Sequence, residues 1–302
     1  MTARASPLPV WDRKADKLFH EFMEDAPQTY ETRPRRSLRQ WLEAQPLYDR
    51  AIALYQESRA SAKKIKPFVD KHGIDMSEFK PVAYRSYAEF FDREFLPVAR
   101  PFTPDPTEMA AFAEARYFGW ERLEPNQELP VKGKSLDAEG LLGSKERARP
   151  FREGPVLIAR LAPVDYHHVH YPDDGHTVDH ARLGSRLWTV NWKALLDKPD
   201  IYLVNERQVN ILQTAHFGRL GFVEIGALSV GRIVQKHPLD RRFVRGDEKA
   251  VFKFGGSAIV VFGEPGKWKP ADDILAHTAD QVETLVRLGE PVAHAARGAT
   301  MN

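Results

Sequence analysis

Residues 245–262 read RGDEKAVFKFGGSAIVVF, two strand-like runs joined by a Gly-Gly-Ser-Ala step. Val, Ile and Phe are frequent in both runs, as is typical of β-strands. A glycine pair permits backbone geometry that is closed to other residues. Taken alone, the step predicts a β-turn with a turn-favouring serine, Ser257. The stretch therefore predicts two strands joined by a tight connection.

Short β-rich runs separated by Gly, Asp and Pro continue this pattern over most of the chain beyond residue 100. Their length and their content of β-branched and aromatic residues predict a mainly β region. The predicted strands are Val156–Leu161, Leu187–Val190, Ile201–Val204, Val223–Ile225, Val251–Phe254 and Ile259–Phe262.

The N-terminal part of the chain has a different pattern. Over residues 11–92 the apolar residues mostly recur at spacings of three and four, which predicts amphipathic helices. Prolines in the segment Leu96–Pro106 forbid a continuous helix and mark a linker. We therefore predict an α+β protein, with a helical N-terminal region over residues 1–100 and a mainly β domain over residues 101–302.

The composition excludes several kinds of chemistry. The chain of 302 residues has no cysteine, which rules out disulfides, thiolate nucleophiles and Cys-ligated zinc. Its 44 basic and 42 acidic residues nearly cancel, so there is no general case for nucleic-acid binding. No apolar run approaches the roughly 20 residues that span a bilayer. We expect a globular protein that is soluble or lies on a membrane surface, with no nucleic-acid partner.

Basic residues accompany aromatic residues in the predicted helical region. This pattern suits contact with anionic lipid headgroups, and it equally suits an ordinary solvated helix face. Both interpretations stay open on the sequence. The residues concerned are Arg33, Arg35, Arg36, Arg39, Lys63, Lys64 and Lys66.

Three histidines lie within the run Asp165-Tyr-His-His-Val-His170. In an extended strand, His168 and His170 would share one face and His167 would point to the other. Histidines in this arrangement suit acid–base chemistry, metal binding or strand-end hydrogen bonds to neighbours. A metal site would need a further ligand. The candidates for it are Asp165, His176, Asp179 and His180.

Several segments follow one another along the chain: Lys64-Ile-Lys-Pro-Phe-Val69, Gly73-Ile-Asp-Met-Ser-Glu-Phe79, Tyr87–Phe102, Val131-Lys-Gly-Lys-Ser135, Leu141-Leu142, Asp165–His170, Trp188-Thr-Val-Asn191, Glu224–Gly231 and Phe254-Gly-Gly-Ser257. In this order they resemble the phosphatidylserine decarboxylase family. The resemblance covers roughly residues 60–290. No single segment is decisive, and the shared order carries the resemblance.

The resemblance implies a self-cleaving enzyme of the carboxy-lyase class. Ser257 would attack the carbonyl of Gly256, and cleavage between them would leave fragments 1–256 and 257–302 as two subunits. A pyruvoyl group formed from Ser257 would be the covalent cofactor, with no metal. It would form a Schiff base with phosphatidylserine, and phosphatidylethanolamine and carbon dioxide would be the products. A β-hydroxyl residue is required because it must both attack and eliminate.

The resemblance also implies roles for residues away from the cleavage site. His170 corresponds to the general base that activates the serine, and His167 to a histidine that handles substrate. The family's aspartate that orients the base falls at about Ala115, and the adjacent Glu114 could take its place. Restoring an aspartate at Ala115 is then expected to accelerate cleavage. Ala258 also departs from the family, which usually has Thr or Ser after the nucleophile.

Three alternatives stand beside a lipid decarboxylase. Pyruvoyl chemistry could act on a soluble amino acid, a silent homologue could bind a lipid or protein partner, or a metal-binding β domain could use His167, His170 and a carboxylate. The basic, aromatic helices favour the lipid enzyme, whereas the missing aspartate favours the silent homologue. For the lipid enzyme we expect an anionic membrane surface as partner and a peripheral location at the cytoplasmic face of the cell membrane. A homo-oligomer is left open.

Overall fold

A computed structural model describes residues 9–20, 53–123, 138–184, 201–226, 232–253 and 257–296 of the protein. Some features predicted from the sequence lie outside these ranges. They are the strand Leu187–Val190, the arginines at positions 33, 35, 36 and 39, the end of one predicted strand at Phe254, and the scissile residue Gly256.

A ten-stranded sheet is the largest element of the described structure. In spatial order its strands are β11 (Arg242–Phe243), β7 (Gly175–Leu183), β8 (Arg207–Thr214), β9 (Arg219–Ile225), β13 (Ser257–Gly263), β5 (Val156–Leu161), β4 (Ala115–Trp120), β15 (Glu283–Val286), β1 (Pro9–Asp12) and β2 (Lys17–His20). Neighbouring strands are antiparallel, except that β1 runs parallel to β15.

Two three-stranded sheets accompany the large one. We call the first the histidine sheet, because it contains β6 of the histidine run. It consists of β10 (Arg232–Gln235), β12 (Glu248–Lys253) and β6 (His168–His170). The other consists of β14 (Trp268–Pro270), β16 (Pro291–Ala295) and β3 (Glu108–Ala110).

The helices are short. They are α1 (Ile65–His72), α2 (Tyr87–Phe91), α3 (Ala138–Leu142), α4 (Lys145–Ala148), α5 (Ile201–Val204) and α6 (Asp272–Ala279), with 3-10 turns at Arg59–Lys64, Met76–Glu78 and Arg149–Phe151. Serine side chains cap two of them: Ser86 accepts the N–H of Glu89 in α2, and Ser144 that of Arg147 in α4. No helix in the described part of the chain is long and apolar enough to cross a membrane.

The large sheet lies between two apolar layers, as strand β13 illustrates. Ile259 and Val261 pack in one core cluster with residues of the smaller sheets such as Phe252. Val260 and Phe262 point to the other face and pack in the cluster that contains residues of α3, α4 and α5. Because both faces of β13 are covered, its sequence is a continuous apolar run rather than an alternating one.

The α+β class is confirmed, and one predicted strand is wrong. Strand β5 spans the predicted Val156–Leu161, and β9, β12 and β13 include the other predicted runs within the described ranges. Ile201–Val204, however, forms helix α5, in which the N–H of Asn205 bonds the carbonyl of Ile201 at 3.0 Å. Four consecutive apolar residues are too few to show whether the period is that of a strand or a helix.

The N-terminal region is not helical throughout. Strands β1 and β2 lie within the region predicted to be helical, and Trp11 pairs with Thr284 of β15. A short strand on the edge of a sheet is stabilised by its partner strand, which local spacing does not reveal. No helix or named strand occurs over residues 96–106, as the prolines of this segment predict, and its role as a linker stays a prediction. The domain division at residue 100 stays a prediction.

Candidate active site

Ser257 is the first residue of β13 and is fully buried. It pairs with Leu161 at the end of β5. Its hydroxyl group has no hydrogen-bond partner among the described residues. Buried polar groups are nearly always paired, so an unpaired hydroxyl calls for an explanation, and a catalytic role is one.

His167 lies next to the same strand end. Its Nε2 is 3.1 Å from the carbonyl oxygen of Ala162, the residue after Leu161. A carbonyl can only accept, so Nε2 carries the proton and Nδ1 has a lone pair. Within the described chain Nδ1 is buried and has no partner. Burial lowers the pKa of His167 well below its usual value, which keeps the ring neutral.

Neighbouring elements hold His167 from two sides. Its ring stacks on Phe91 of α2, with ring centroids 4.1 Å apart. Its carbonyl accepts the N–H of Phe252 in β12 at 2.9 Å. The histidine is therefore fixed both to the helical part of the chain and to the strand that precedes Ser257 in the sequence.

Both ring nitrogens of His170 have neighbours. Nδ1 lies 2.8 Å from the carbonyl oxygen of Gly246, and Nε2 lies 3.4 Å from the hydroxyl of Tyr166. The carbonyl accepts, so Nδ1 carries the proton and Nε2 accepts from Tyr166. Burial lowers the pKa of His170. The ring is therefore neutral at pH 7, as a general base must be.

The contacts of His168 indicate a structural role for this residue. The rings of His168 and His170 lie 4.6 and 6.0 Å from that of Tyr166, which confirms that the two histidines share one face. Nδ1 of His168 lies 2.7 Å from a carboxylate oxygen of Glu248, and its Nε2 is 3.3 Å from the carbonyl oxygen of Asp92. With both nitrogens occupied, His168 links the histidine sheet to the end of α2.

The structure places His167 against Ala162, the residue that follows the β5 partner of Ser257. Ser257 has no hydrogen bond to either histidine among the described residues. His170 contacts the turn at Gly246 and Tyr166 instead. Its assignment as the base for Ser257 stays a prediction.

The two positions considered for the orienting acid have different surroundings. Ala115 is fully buried in the apolar core. Glu114 precedes β4, and its carboxylate oxygens lie 2.5 and 3.0 Å from nitrogens of Arg100. It also accepts the N–H of Leu288 at 3.4 Å. The carboxylate of Glu114 is thus bound to Arg100, and none of these partners is a histidine.

Ala258, the other departure from the family pattern, has an apolar environment. Its side chain is fully buried in the same core cluster as Val260 and Phe262. It faces the opposite side of the sheet from Ser257, because side chains alternate along a strand.

Two buried arginines hold the turn in front of the histidine run. Arg93 donates to the carbonyl oxygens of Val164 at 2.6 Å and Asp165 at 3.1 Å. Arg116 pairs with the carboxylate of Asp165, which also accepts the N–H of Ala162 at 2.6 Å. Neither arginine can be assigned to the site from the sequence, because burial of a charged residue depends on tertiary contacts that the residue type does not reveal.

A cavity of about 440 Å³ lies beside this turn. Asp165 and Tyr166 of the histidine run form part of its wall. Arginines and carboxylates are present in equal number, so their formal charges cancel. These residues are Arg93, Arg100, Arg116, Arg287, Asp75, Glu78, Glu114 and Asp165.

A metal site is not formed by the described residues. No three of their His, Asp and Glu side chains are grouped so that they could hold a metal ion. Asp179, one of the residues considered as a further ligand, is instead paired with Arg147 at 2.6 Å.

The described fold is α+β, and the candidate site contains a buried serine hydroxyl and two neutral histidines. The family model for phosphatidylserine decarboxylase matches residues 87–294 of the chain. This match extends over more than half of the sequence. The chain belongs to the phosphatidylserine decarboxylase family, and it is therefore a carboxy-lyase.

Individual relatives agree with this assignment. The phosphatidylserine decarboxylase proenzyme of Ruminiclostridium cellulolyticum is 34% identical over 250 residues, 82% of this chain and 83% of that protein. The proenzyme of Clostridium novyi is 34% identical over 247 residues, 81% of this chain and 84% of that protein. That of Chlamydia pneumoniae is 29% identical over 270 residues, 89% of this chain and 90% of that protein.

Proposed function

We propose that this chain converts phosphatidylserine to phosphatidylethanolamine and carbon dioxide, using a pyruvoyl group made from its own Ser257. The observation that carries the proposal is the buried hydroxyl of Ser257, which follows two glycines and has no partner in the described structure. The relatives' names support a phosphatidylserine substrate and a precursor form.

The residues at the cleavage site fit the formation of a pyruvoyl group. Ser257 Oγ would attack the carbonyl carbon of Gly256, and the peptide bond would be exchanged for an ester. Elimination would release the carboxylate of Gly256 and leave dehydroalanine at position 257. Hydrolysis of dehydroalanine would release ammonia and complete the pyruvoyl group. The carbonyl of that group supplies the electron sink for loss of carbon dioxide.

The two neutral histidines are assigned different tasks. His170 takes the proton from Ser257 Oγ, because a serine hydroxyl at its normal pKa is a poor nucleophile. His167 handles the substrate, since the lone pair on its Nδ1 can accept a hydrogen bond next to position 257. Self-cleavage and decarboxylation are therefore separable by mutation.

The decisive experiment is the intact mass of the purified protein under denaturing conditions. We expect two pieces, residues 1–256 and 257–302, with a mass for the smaller one that fits an N-terminal pyruvoyl group. Ser257→Ala should fold and stay in one piece, whereas the surface variant Ser77→Ala should be cut like the unaltered chain. A single uncut chain after prolonged incubation would contradict the proposal and favour a silent homologue.

The substrate and the membrane location need a separate test. Leu54 and Tyr55 are exposed, and Nζ of Lys64 lies 4.5 Å from the centroid of the Tyr55 ring. Apolar and basic side chains in this combination suit an anionic lipid surface. We expect carbon dioxide release from phosphatidylserine vesicles and none from free serine. Release from free serine alone would establish the soluble amino-acid alternative instead.

A further inference from the structure

We propose that the main-chain carbonyl of Gly246, rather than a carboxylate, orients His170 and fixes its tautomer. This inference rests on the proposed role of His170 as the base for Ser257. It makes Gly246 a positioning residue, which acts on the reaction only through the histidine.

The carbonyl oxygen of Gly246 lies next to Nδ1 of His170, the position that the acid occupies in a Ser-His-Asp triad. The two atoms are 2.8 Å apart, so the carbonyl selects the tautomer with the lone pair on Nε2. In a Ser-His-Asp triad the acid performs this same selection through Nδ1. The carboxylate proposed from the sequence, Glu114, is bound to Arg100 instead.

The backbone around Gly246 fixes the direction of the carbonyl. Gly246 has φ +88°, a left-handed conformation that side chains other than glycine rarely adopt. Its N–H bonds the carbonyl of Tyr171, and the N–H of Tyr171 bonds the carbonyl of Asp247, both at 2.9 Å. Since Tyr171 is the residue after His170, these bonds lock the turn onto the backbone that carries the histidine.

Arg245 anchors the same turn from the other side. Its guanidinium donates to the carbonyl oxygens of Thr103 and Asp105, both at 2.8 Å, and lies 3.3 Å from the carboxylate of Asp173. That carboxylate is almost completely buried and also binds the ring of His216 at 2.8 Å. The turn is thus held independently of the histidine, as a preorganised acceptor requires.

A carbonyl acceptor differs from a carboxylate in one respect. It fixes the tautomer, but it brings no full negative charge to stabilise the imidazolium that forms when the serine loses its proton. Self-cleavage by this chain should therefore be slower than it would be with an aspartate in the same place.

The tautomer of His170 can be measured directly. In the uncleavable Ser257→Ala chain, nitrogen-15 NMR of the imidazole should show Nδ1 protonated and Nε2 unprotonated. Gly246→Ala should convert this to a mixture of both tautomers, because alanine at this φ forces the turn to rearrange. Gly266→Ala is the matched control, since Gly266 has φ +72° and nothing within 4 Å of an added Cβ. An Nε2-protonated ring in the Ser257→Ala chain, or no change with Gly246→Ala, would overturn the inference.

The rate of self-cleavage, in chains that retain Ser257, is the second measurement. Gly246→Ala should slow cleavage at least about tenfold, whereas Gly266→Ala should not, because a positioned general base contributes about 10²- to 10⁴-fold. If Gly246→Ala does not fold, Asp173→Asn weakens the anchor of Arg245 and should slow cleavage severalfold. Slow cleavage with Glu114→Gln and normal cleavage with Gly246→Ala would assign the role to Glu114. If even the unaltered chain stays uncut, the proposed function fails, and the NMR result still decides the inference.

Discussion

At the scale of single residues, the polar atoms of the candidate site differ in whether they have a hydrogen-bond partner. Ser257 Oγ and His167 Nδ1 are both buried, and neither has a partner among the described residues. Among the described residues, Nε2 of His170 has only a long contact, 3.4 Å, to the hydroxyl of Tyr166. Each of these atoms is free to bond a reacting group, which is the property that separates them from the fully occupied His168.

The two histidines should have separable effects. His170→Ala should slow cleavage between Gly256 and Ser257 by about 10²-fold or more, because Ser257 loses its base. His167→Ala should reduce carbon dioxide release more than it slows cleavage. A time course on a denaturing gel measures the first rate, and carbon dioxide release per cut chain measures the second.

The exposed histidine His180 provides the control for these variants, and His180→Ala should change neither rate. Cleavage of His170→Ala at the normal rate would refute its assignment as the base. If His167→Ala alone blocks cleavage, the base is His167, the histidine that lies beside the partner strand of Ser257.

The environment of Ala115 reverses an expectation drawn from the sequence. The resemblance predicts that Ala115→Asp accelerates cleavage, but Ala115 is fully buried in the apolar core. An unpaired carboxylate there should lower the free energy of unfolding by about 3 kcal/mol or more. Urea denaturation of the Ser257→Ala chain with and without the change measures this. Ala83→Asp, at an exposed position, should leave stability nearly unchanged. Faster cleavage by a stable Ala115→Asp protein would show that the acid position is there after all.

At the scale of elements, a buried ion pair joins the large sheet to the histidine sheet. Lys249 of β12 and Glu224 of β9 are completely buried, with Nζ and Oε1 2.9 Å apart. Gln235 of β10 completes the group, at 3.1 Å from Lys249 and 2.6 Å from Glu224. Burial lowers the pKa of Lys249, and the charge of Glu224 opposes that shift. The group ties β10 and β12 of the histidine sheet, whose third strand carries His168 and His170, to the sheet that carries Ser257.

Removing one partner of this pair should be costly. Lys249→Met leaves the carboxylate of Glu224 buried without its cation and should lower the free energy of unfolding by about 3 to 5 kcal/mol. The double variant Lys249→Met with Glu224→Leu should recover most of that loss, because neither charge then remains. Lys66→Met in the exposed pair with Asp70 is the control and should have no measurable effect. Equal stability of Lys249→Met and the control would show that the pair does not join the sheets.

At the scale of the whole molecule, stability should depend on pH through His167 and His170, the two histidines whose pKa is lowered in the folded protein. Burial lowers the pKa of both His167 and His170 in the folded state, from an ordinary value of 6.5. Below pH 6.5 the unfolded chain binds protons that the folded chain does not, so folding becomes less stable as pH falls. Above pH 6.5 the contribution of these histidines to the free energy of unfolding is fully present. Below it, each histidine adds up to about 1.4 kcal/mol per pH unit to the slope of the free energy of unfolding against pH.

Urea unfolding of the Ser257→Ala chain between pH 7.5 and pH 5 measures this dependence without interference from cleavage. The double variant His167→Gln with His170→Gln should have a shallower slope over the same range. An equal slope in both proteins would mean that other groups carry the dependence.

The sequence by itself determined the family and the α+β class, and it predicted which residues can react. Strand β5 and the apolar run of β13 were predicted from their content of β-branched residues, which favour strands, and not from any periodicity. The family order of segments predicted that Ser257, His167 and His170 share one site, without any knowledge of distances.

Only the tertiary structure decided which residues are partners in strand pairing, ion pairs and hydrogen bonds. Ile201–Val204 became a helix, and β1 and β2 joined the sheet through β15. The carboxylate of Glu114 pairs with Arg100. The carbonyl oxygen that accepts the hydrogen bond from His170 belongs to Gly246, 76 positions away along the chain. Hydrogen bonds and burial depend on which distant segments meet, and that meeting minimises the free energy of the whole chain rather than of any local stretch.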